Sequence, residues 1–221
     1  MPIFDFQFVI NLIPLMLKYL KVTLTLSLVS LVFALLIGTA IALFVDAKVP
    51  VLKQLSSVYV SFFRGTPLVA QMFFIYFGLI QIIHGLKGLD AMTSAIIVLS
   101  LNASAYCSES LRAAIASVDK GQKEAAYAIG MTYTQAMVRI ILPQAIRVAI
   151  PTLVNTFADI VKGSSLAFTI GVTEIMATAQ SEAAAKYKFL EAFTCVILIY
   201  WMLSGIIGFI QGKLEKSFNK A

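Results

Sequence analysis

An all-α integral membrane fold with five transmembrane helices follows from three observations. The chain has 221 residues, of which 60% are hydrophobic and only 13% charged, about half the charged fraction of a soluble domain. Its apolar residues gather into runs near the ~20 residues that cross a bilayer. Short polar segments separate the runs without a break long enough to divide the chain, so residues 1–221 read as one membrane domain.

Composition also excludes several functions. The net charge of +6 is scattered between apolar runs rather than laid out as a basic stripe with aromatics, which argues against nucleic acid. Cys107 and Cys195 lie in apolar runs at no metal or redox spacing and read as packing residues. There is no G-x-x-x-x-G-K-[ST] loop, so this chain is not expected to hydrolyse ATP, and a single histidine, His84, rules out H-E-x-x-H zinc chemistry. Ser-x-x-Lys occurs at Ser117 to Lys120 and Ser217 to Lys220, in polar segments without an apolar pocket, and both read as chance matches.

In chain order, residues 1–21 carry Asp5, Gln7, Asn11 and Lys18 among apolar residues, are interrupted by Pro14, and are expected to form an interfacial amphipathic segment. No basic region precedes the first apolar stretch, so the segment is expected to be retained. Val22 to Val45 is uncharged and long enough to be the first span. After Asp46, Lys48 and Lys53, the apolar run Leu68 to Ile83 is short; Thr66 as N-cap and Pro67 as first helical residue would lengthen it, with Gly65 making the bend. Asp90 is placed to cap a third helix from Ala91, which ends in a Glu109–Arg112 ion pair.

Asp119 to Pro143 is the longest polar interruption. Asp119 suits an N-cap and Gly130 a left-handed helix end. Thr132 with Gln135 forms a capping box that starts a second short helix, and Pro143 forbids its unbroken extension. Two short helices bent at a glycine, with Ala125 and Ala126 thinning one face, make a plug for a partner's socket. The fourth span contains Pro151, Asn155, Asp159, Lys162 and Gly163 before Leu166 to Val172. Asn155, Asp159 and Lys162 share one helical face, which must look at protein or water. A structural Asp159–Lys162 ion pair and a substrate contact both fit that face. Residues 173–188 suit an external loop with a short helix, and Phe189 to Gly212 the fifth span. Gly208 and Gly212 are too common a pair to demand close helix packing.

Glu124-Ala125-Ala126, Gly130, Ile140 and Leu142-Pro143, at their spacing, resemble the EAA loop of ABC importer permeases. RGTPLVAQMFFIYFGL, LNASAYCSESLRAAI, LPQAIRVAIPTL and KGSSLAFTIGV resemble the polar amino acid uptake branch. Many relatives read KDTSL where Gly163 and Ser164 stand here, so the role of that motif, with Ser165, does not transfer directly. SFFRGTPL, VLSLNASAY, RAAIASVDKGQ and IGMT look nearest to cystine permeases. The resemblance implies the type I ABC importer architecture, with residues 119–143 as the cytoplasmic coupling loop docking on an ATP-binding subunit. It further implies a second permease copy, identical or homologous, and an extracytoplasmic amino-acid-binding protein, with ATP and Mg on the partner ATPase and no cofactor on this chain. Candidate substrate-path residues are Gly65 and Thr66, whose helix start favours an anionic group, with Asn102, Asn155, Asp159, Lys162, Ser164 and Ser165.

Lys and Arg counts orient the chain in the inner membrane. With the N-terminus outside and the C-terminus inside, inner segments hold eleven, among them Lys48 and Lys220, and outer segments five. The expected function is uptake of polar amino acids, with L-cystine first and arginine, histidine or glutamine as alternatives. A proton-coupled secondary transporter built on Asp159, or an intramembrane enzyme using Ser164 or Ser165 with Lys162, are the rival classes.

Overall fold

A computed structural model of the protein describes residues 4–47, 49–83, 85 and 87–218, with the side chains of 217 and 218 left aside. Lys48, His84 and Lys220 lie outside the described residues, so the loop reading of His84 and their share of the charge count stay as expectations.

The chain enters through α1, Phe6–Asp46, a helix of 41 residues. The Asp5 carboxylate caps it by accepting the Phe8 N–H at 3.1 Å. Residues 1–21 were expected to form a segment of their own ahead of a span at Val22, but helix runs unbroken through Pro14. Packing explains the continuity. Phe8, Leu12 and Met16 form a buried stripe against Ile175, Ala179, Ala183, Ala192 and Cys195, while Phe6, Ile10 and Leu17 on the other side are exposed. That burial offsets the hydrogen bond lost at Pro14.

Next come α2, Pro50–Gly65, and α3, Leu68–Phe73, which continues through a π-helical turn, Phe74–Leu79, into α4, Ile80–Ile82. The chain turns by 109° between the two arms. The expected cap is reassigned: Thr66 closes α2, Pro67 is the N-cap of α3, and Gly65 is still helical. Thr66 is extended, with φ −120° and ψ 147°, because the proline ring after it disfavours the helical region.

Central to the molecule is the pairing of α1 with α5, Ala91–Ser117. Asp90 caps α5 as expected, accepting the Thr93 N–H at 3.2 Å. Small residues line the α1 side of the contact: Ser27, Ser30, Ala34, Gly38 and Ala42 are all buried. A Cβ added at Gly38 would sit 2.8 Å from the Cys107 Cβ and 3.0 Å from the Ser104 carbonyl oxygen, so the backbones touch.

Then α6, Lys120–Ala128, and α7, Tyr133–Ala136, form the polar interruption. Asp119 caps α6, and Gly130 ends it at φ 81° with a double hydrogen-bonded turn, Met131 N–H to Ala126 C=O and Gly130 N–H to Tyr127 C=O, both 3.0 Å. The Thr132–Gln135 capping box is present. The second short helix does not stop near Pro143, however: a π-helical turn, Met137–Ile141, carries it into α8, Leu142–Gly163. Pro143 falls directly after the π turn, where the regular i→i−4 bonding is already interrupted, so its missing N–H does not end the helix.

A 3-10 turn, Ser164–Ile170, follows and ends at Gly171, φ 97°. The expected short helix in the last loop is α9, Ile175–Lys186, and α10, Phe189–Phe218, ends the fold. Glu174 caps α9 by accepting the Ala177 N–H at 2.8 Å, and its other oxygen accepts the Tyr200 hydroxyl at 3.0 Å. Fully buried, its carboxyl titrates above the ordinary glutamate value, the N–H bonds opposing that rise. Gly208 and Gly212 face open space. Four long apolar helices and the bent α2–α3 pair supply up to five crossings, the all-α membrane architecture that the sequence predicts.

Candidate functional sites: a polar groove and a docking helix

The groove forms where α5 and α8 cross. Leu68 from α3, Leu99, Asn102, Ala103 and Tyr106 from α5, and Thr156, Asp159 and Ile160 from α8 line a cavity of about 240 Å³. Asn102 and Tyr106 are one turn apart, as are Thr156 and Asp159, so each helix contributes two polar groups to one wall. The structure thus brings two candidates, Asn102 and Asp159, to one space. Asn155 lies on the same exposed face of α8 as Asp159. Lys162 Nζ pairs with the Asp159 carboxylate at 2.8 Å, and both side chains are more than half exposed.

The other candidates are elsewhere. Gly65 and Thr66 belong to the bend, where Gln71 Nε2 donates to the Thr66 hydroxyl at 2.8 Å and to the carbonyls of Thr66 and Phe63 at 3.1 Å. The Gln71 amide therefore satisfies acceptors that the bend leaves open at the end of α2. Asn102 Nδ2 donates to the Phe63 carbonyl and to Gln71 Oε1, each at 3.0 Å, which ties the groove wall to the bend. Ser164 is buried and donates to the Val161 carbonyl at 2.8 Å, and Ser165 donates to the Lys162 carbonyl at 2.6 Å. Both hydroxyls close the helix end rather than line the cavity.

Polar groups continue along α5 from the cavity. The Arg64 guanidinium lies 5.5 Å from the Tyr106 ring centre and 3.9 Å from Glu109, which also holds Arg112 by two bonds of 2.9 and 3.0 Å. Beyond them, Lys53, Ser56, Ser57, Ser61, Glu109 and Arg112 line a wider cavity of about 440 Å³ between α1, α2 and α5. Charges of both signs along one accessible face suit a zwitterionic solute: ionisable groups within a membrane helix mark pathways or pairs, and these are paired and still exposed.

The docking helix divides its motif by exposure. Glu124, Ala125, Tyr127 and Ile129 of the α6 region are exposed, whereas Ala126 is buried beneath them. Ile140 and Leu142 pack against Ala42, Leu111, Ile115, Met137 and Ile141, so the second half of the motif is a foundation rather than a contact surface. Pro143 is exposed. Sequence reasoning had not singled out Tyr106 or Thr156 for the groove. Their one-turn spacing from Asn102 and Asp159 was the available signal. Nor had it joined Asp46 to Lys123: the Lys123 ammonium meets the two Asp46 oxygens at 2.8 and 2.9 Å, and the Tyr133 hydroxyl donates to Asp46 at 2.9 Å.

Residues 34–220 match the family model described as binding-protein-dependent transport system inner membrane component. The probable amino-acid ABC transporter permease protein PatM of Vibrio harveyi is 50% identical over 218 residues, 99% of this chain and 98% of the relative. The L-cystine transport system permease protein TcyB of Bacillus subtilis (strain 168) is 40% identical over 199 residues, 90% of this chain and 84% of the relative. Among solved structures, the crystal structure of an amino acid ABC transporter with histidines superposes with a TM-score of 0.87 at 33% identity, covering 96% of this chain and 98% of that one.

Proposed function

Because the chain belongs to the family of binding-protein-dependent transport system inner membrane components, as a multi-pass, non-enzymatic amino-acid ABC transporter permease, we propose that it imports L-cystine along the groove of Asn102, Tyr106, Thr156 and Asp159. The observation that supports this most directly is the shared cavity: hydrogen-bonding and carboxylate groups from two helices converge there beside an exposed ammonium, a pattern that matches an amino acid's own two charges. Two such permeases, identical or homologous, would face their grooves together. ATP-binding subunits carrying ATP and Mg would dock on Glu124, Ala125 and the turn at Gly130, with Ala126, Ile140, Leu142 and Pro143 holding that surface in place. An extracytoplasmic binding protein would deliver substrate, with the N-terminus outside and the C-terminus inside. Closure of the ATPases then moves the docking helices and switches the pair between outward- and inward-facing states.

Support for cystine comes from the sequence likeness to cystine permeases, and histidine is the second reading because a solved neighbour is described with histidines. Arginine and glutamine are further outcomes of the same test. Uptake of labelled cystine in cells expressing the chain with its neighbouring ATPase and binding protein, competed by unlabelled amino acids, decides among them. Competition by cystine and its sulfur analogues alone supports the proposal, and competition by histidine, arginine or glutamine transfers the assignment. Uptake that survives loss of the ATPase would favour a proton-coupled transporter instead.

A further inference from the structure

We propose that Asp46 is a positioning residue that ties the docking helix α6 to the end of α1, so that a displacement of α6 is delivered to α1 directly. The inference rests on the reading of α6 as the ATPase-docking helix. Alone, α6 is poorly held. It has nine residues and only Ala126 is buried, so apolar burial contributes little to its placement. Among the described residues, the Lys123–Asp46 pair is the one ion pair that joins α6 to a membrane helix. It is bidentate and set in a partly shielded place, with the Asp46 side chain 17% exposed, which makes it stronger than a surface pair.

Tyr133 completes the arrangement. It is the first residue of α7, on the far side of the Gly130 turn, and its hydroxyl reaches the same carboxylate. Both arms of the docking loop therefore converge on one side chain. Asp46 is also the last residue of α1, where the negative end of the helix dipole adds to the attraction for the Lys123 ammonium. At the other end of the same helix, the Asp5 N–H donates to Glu191 at 3.0 Å and Lys188 lies 3.4 Å from the Asp5 carboxylate. Helix α1 thus links the docking loop on one side to the α9–α10 corner on the other.

The test uses the complete transporter in lipid vesicles, measuring uptake per ATP hydrolysed, together with spin labels at Gln122 and Ala47 to read the α6–α1 distance. D46N keeps the side-chain shape and removes the charge. It should lower uptake per ATP about tenfold, the scale of one charged hydrogen bond, with ATP hydrolysis retained and the label distances broadened. The exchanged pair, D46K with K123D, should restore narrow distances and recover most of the coupling. Wild-type coupling and distances in D46N would overturn the proposal. Should D46N fail to assemble, K123Q decides, since it removes the other partner of the ion pair and leaves the Tyr133–Asp46 bond: reduced coupling with broadened distances supports the tether, and unchanged coupling and distances overturn it. If the wild type shows no ATP-driven uptake, the functional reading fails, and the label distances alone still decide whether Asp46 holds α6.

Discussion

At the bend between α2 and α3, the Asn102 amide donates to the Gln71 amide oxygen, and both amides donate to carbonyls that the turn leaves open. Gln71 is 3% exposed, and Asn102 gives both amide protons to the bend, leaving its carbonyl oxygen for the cavity. Replacing Gln71 with Ala leaves the part-buried Thr66 carbonyl and one Asn102 N–H without this partner and should cost about 1–3 kcal/mol, read as a lower thermal midpoint for the purified protein, with uptake affinity weakened because Asn102 loses a partner. An unchanged midpoint would show that the bend does not depend on this amide. Polarity on a membrane helix made Asn102 legible in the sequence, as the i, i+4 spacing made Asp159 legible. What could not be read was that Thr66 would close a helix rather than open one. The Thr-Pro pair permits either, and the choice is made by Gln71 five residues away.

Between elements, the local punctuation was legible and the continuity was not. Asp90, Asp119 and the Thr132–Gln135 box cap helices where short-range chemistry places them, because a cap depends on three or four residues. The union of residues 6–21 with the first span depends on α9 and α10, more than 150 residues away, and the passage of α7 into α8 depends on a π turn that no residue announces. Gly130 tests the punctuation. At φ 81° a valine costs about 1–2 kcal/mol, so Gly130→Val should reduce uptake per ATP while leaving protein level near wild type. Gly38 tests the packing: a valine there meets Cys107 and two backbone atoms at or below 3.1 Å and should force α1 from α5, lowering folded yield severalfold. Glu174 supplies a pH dependence. Its carboxyl binds a proton more tightly folded than unfolded, so its contribution to stability is complete below the ordinary glutamate pKa and is lost as pH rises through the folded value. Melting curves of the wild type and Glu174→Gln should therefore diverge between acidic and neutral pH, the wild type losing more as pH rises. Parallel curves would show that this carboxyl titrates normally.

Across the whole molecule, the long helices leave much of their apolar surface uncovered. Leu28, Val32 and Leu36 on α1 and Trp201 and Phe209 on α10 are exposed in the single chain, a surface to be covered by lipid or a second permease. Orientation is tested at this scale: single cysteines at Lys87 and at Gln122 should react with a membrane-impermeant maleimide from opposite sides, Lys87 from outside. Reaction of Gln122 from outside would invert the proposed topology. The wild-type chain is already suited to that experiment. Its two native thiols, Cys107 wedged against Gly38 and Cys195 beneath α1, are at most 2% exposed. A bulky reagent cannot reach either without prising helices apart, so the packing of α1 on α5 and on the α9–α10 corner also makes the protein a chemically silent background. Any thiol added at its surface will report its own position, with no native cysteine removed.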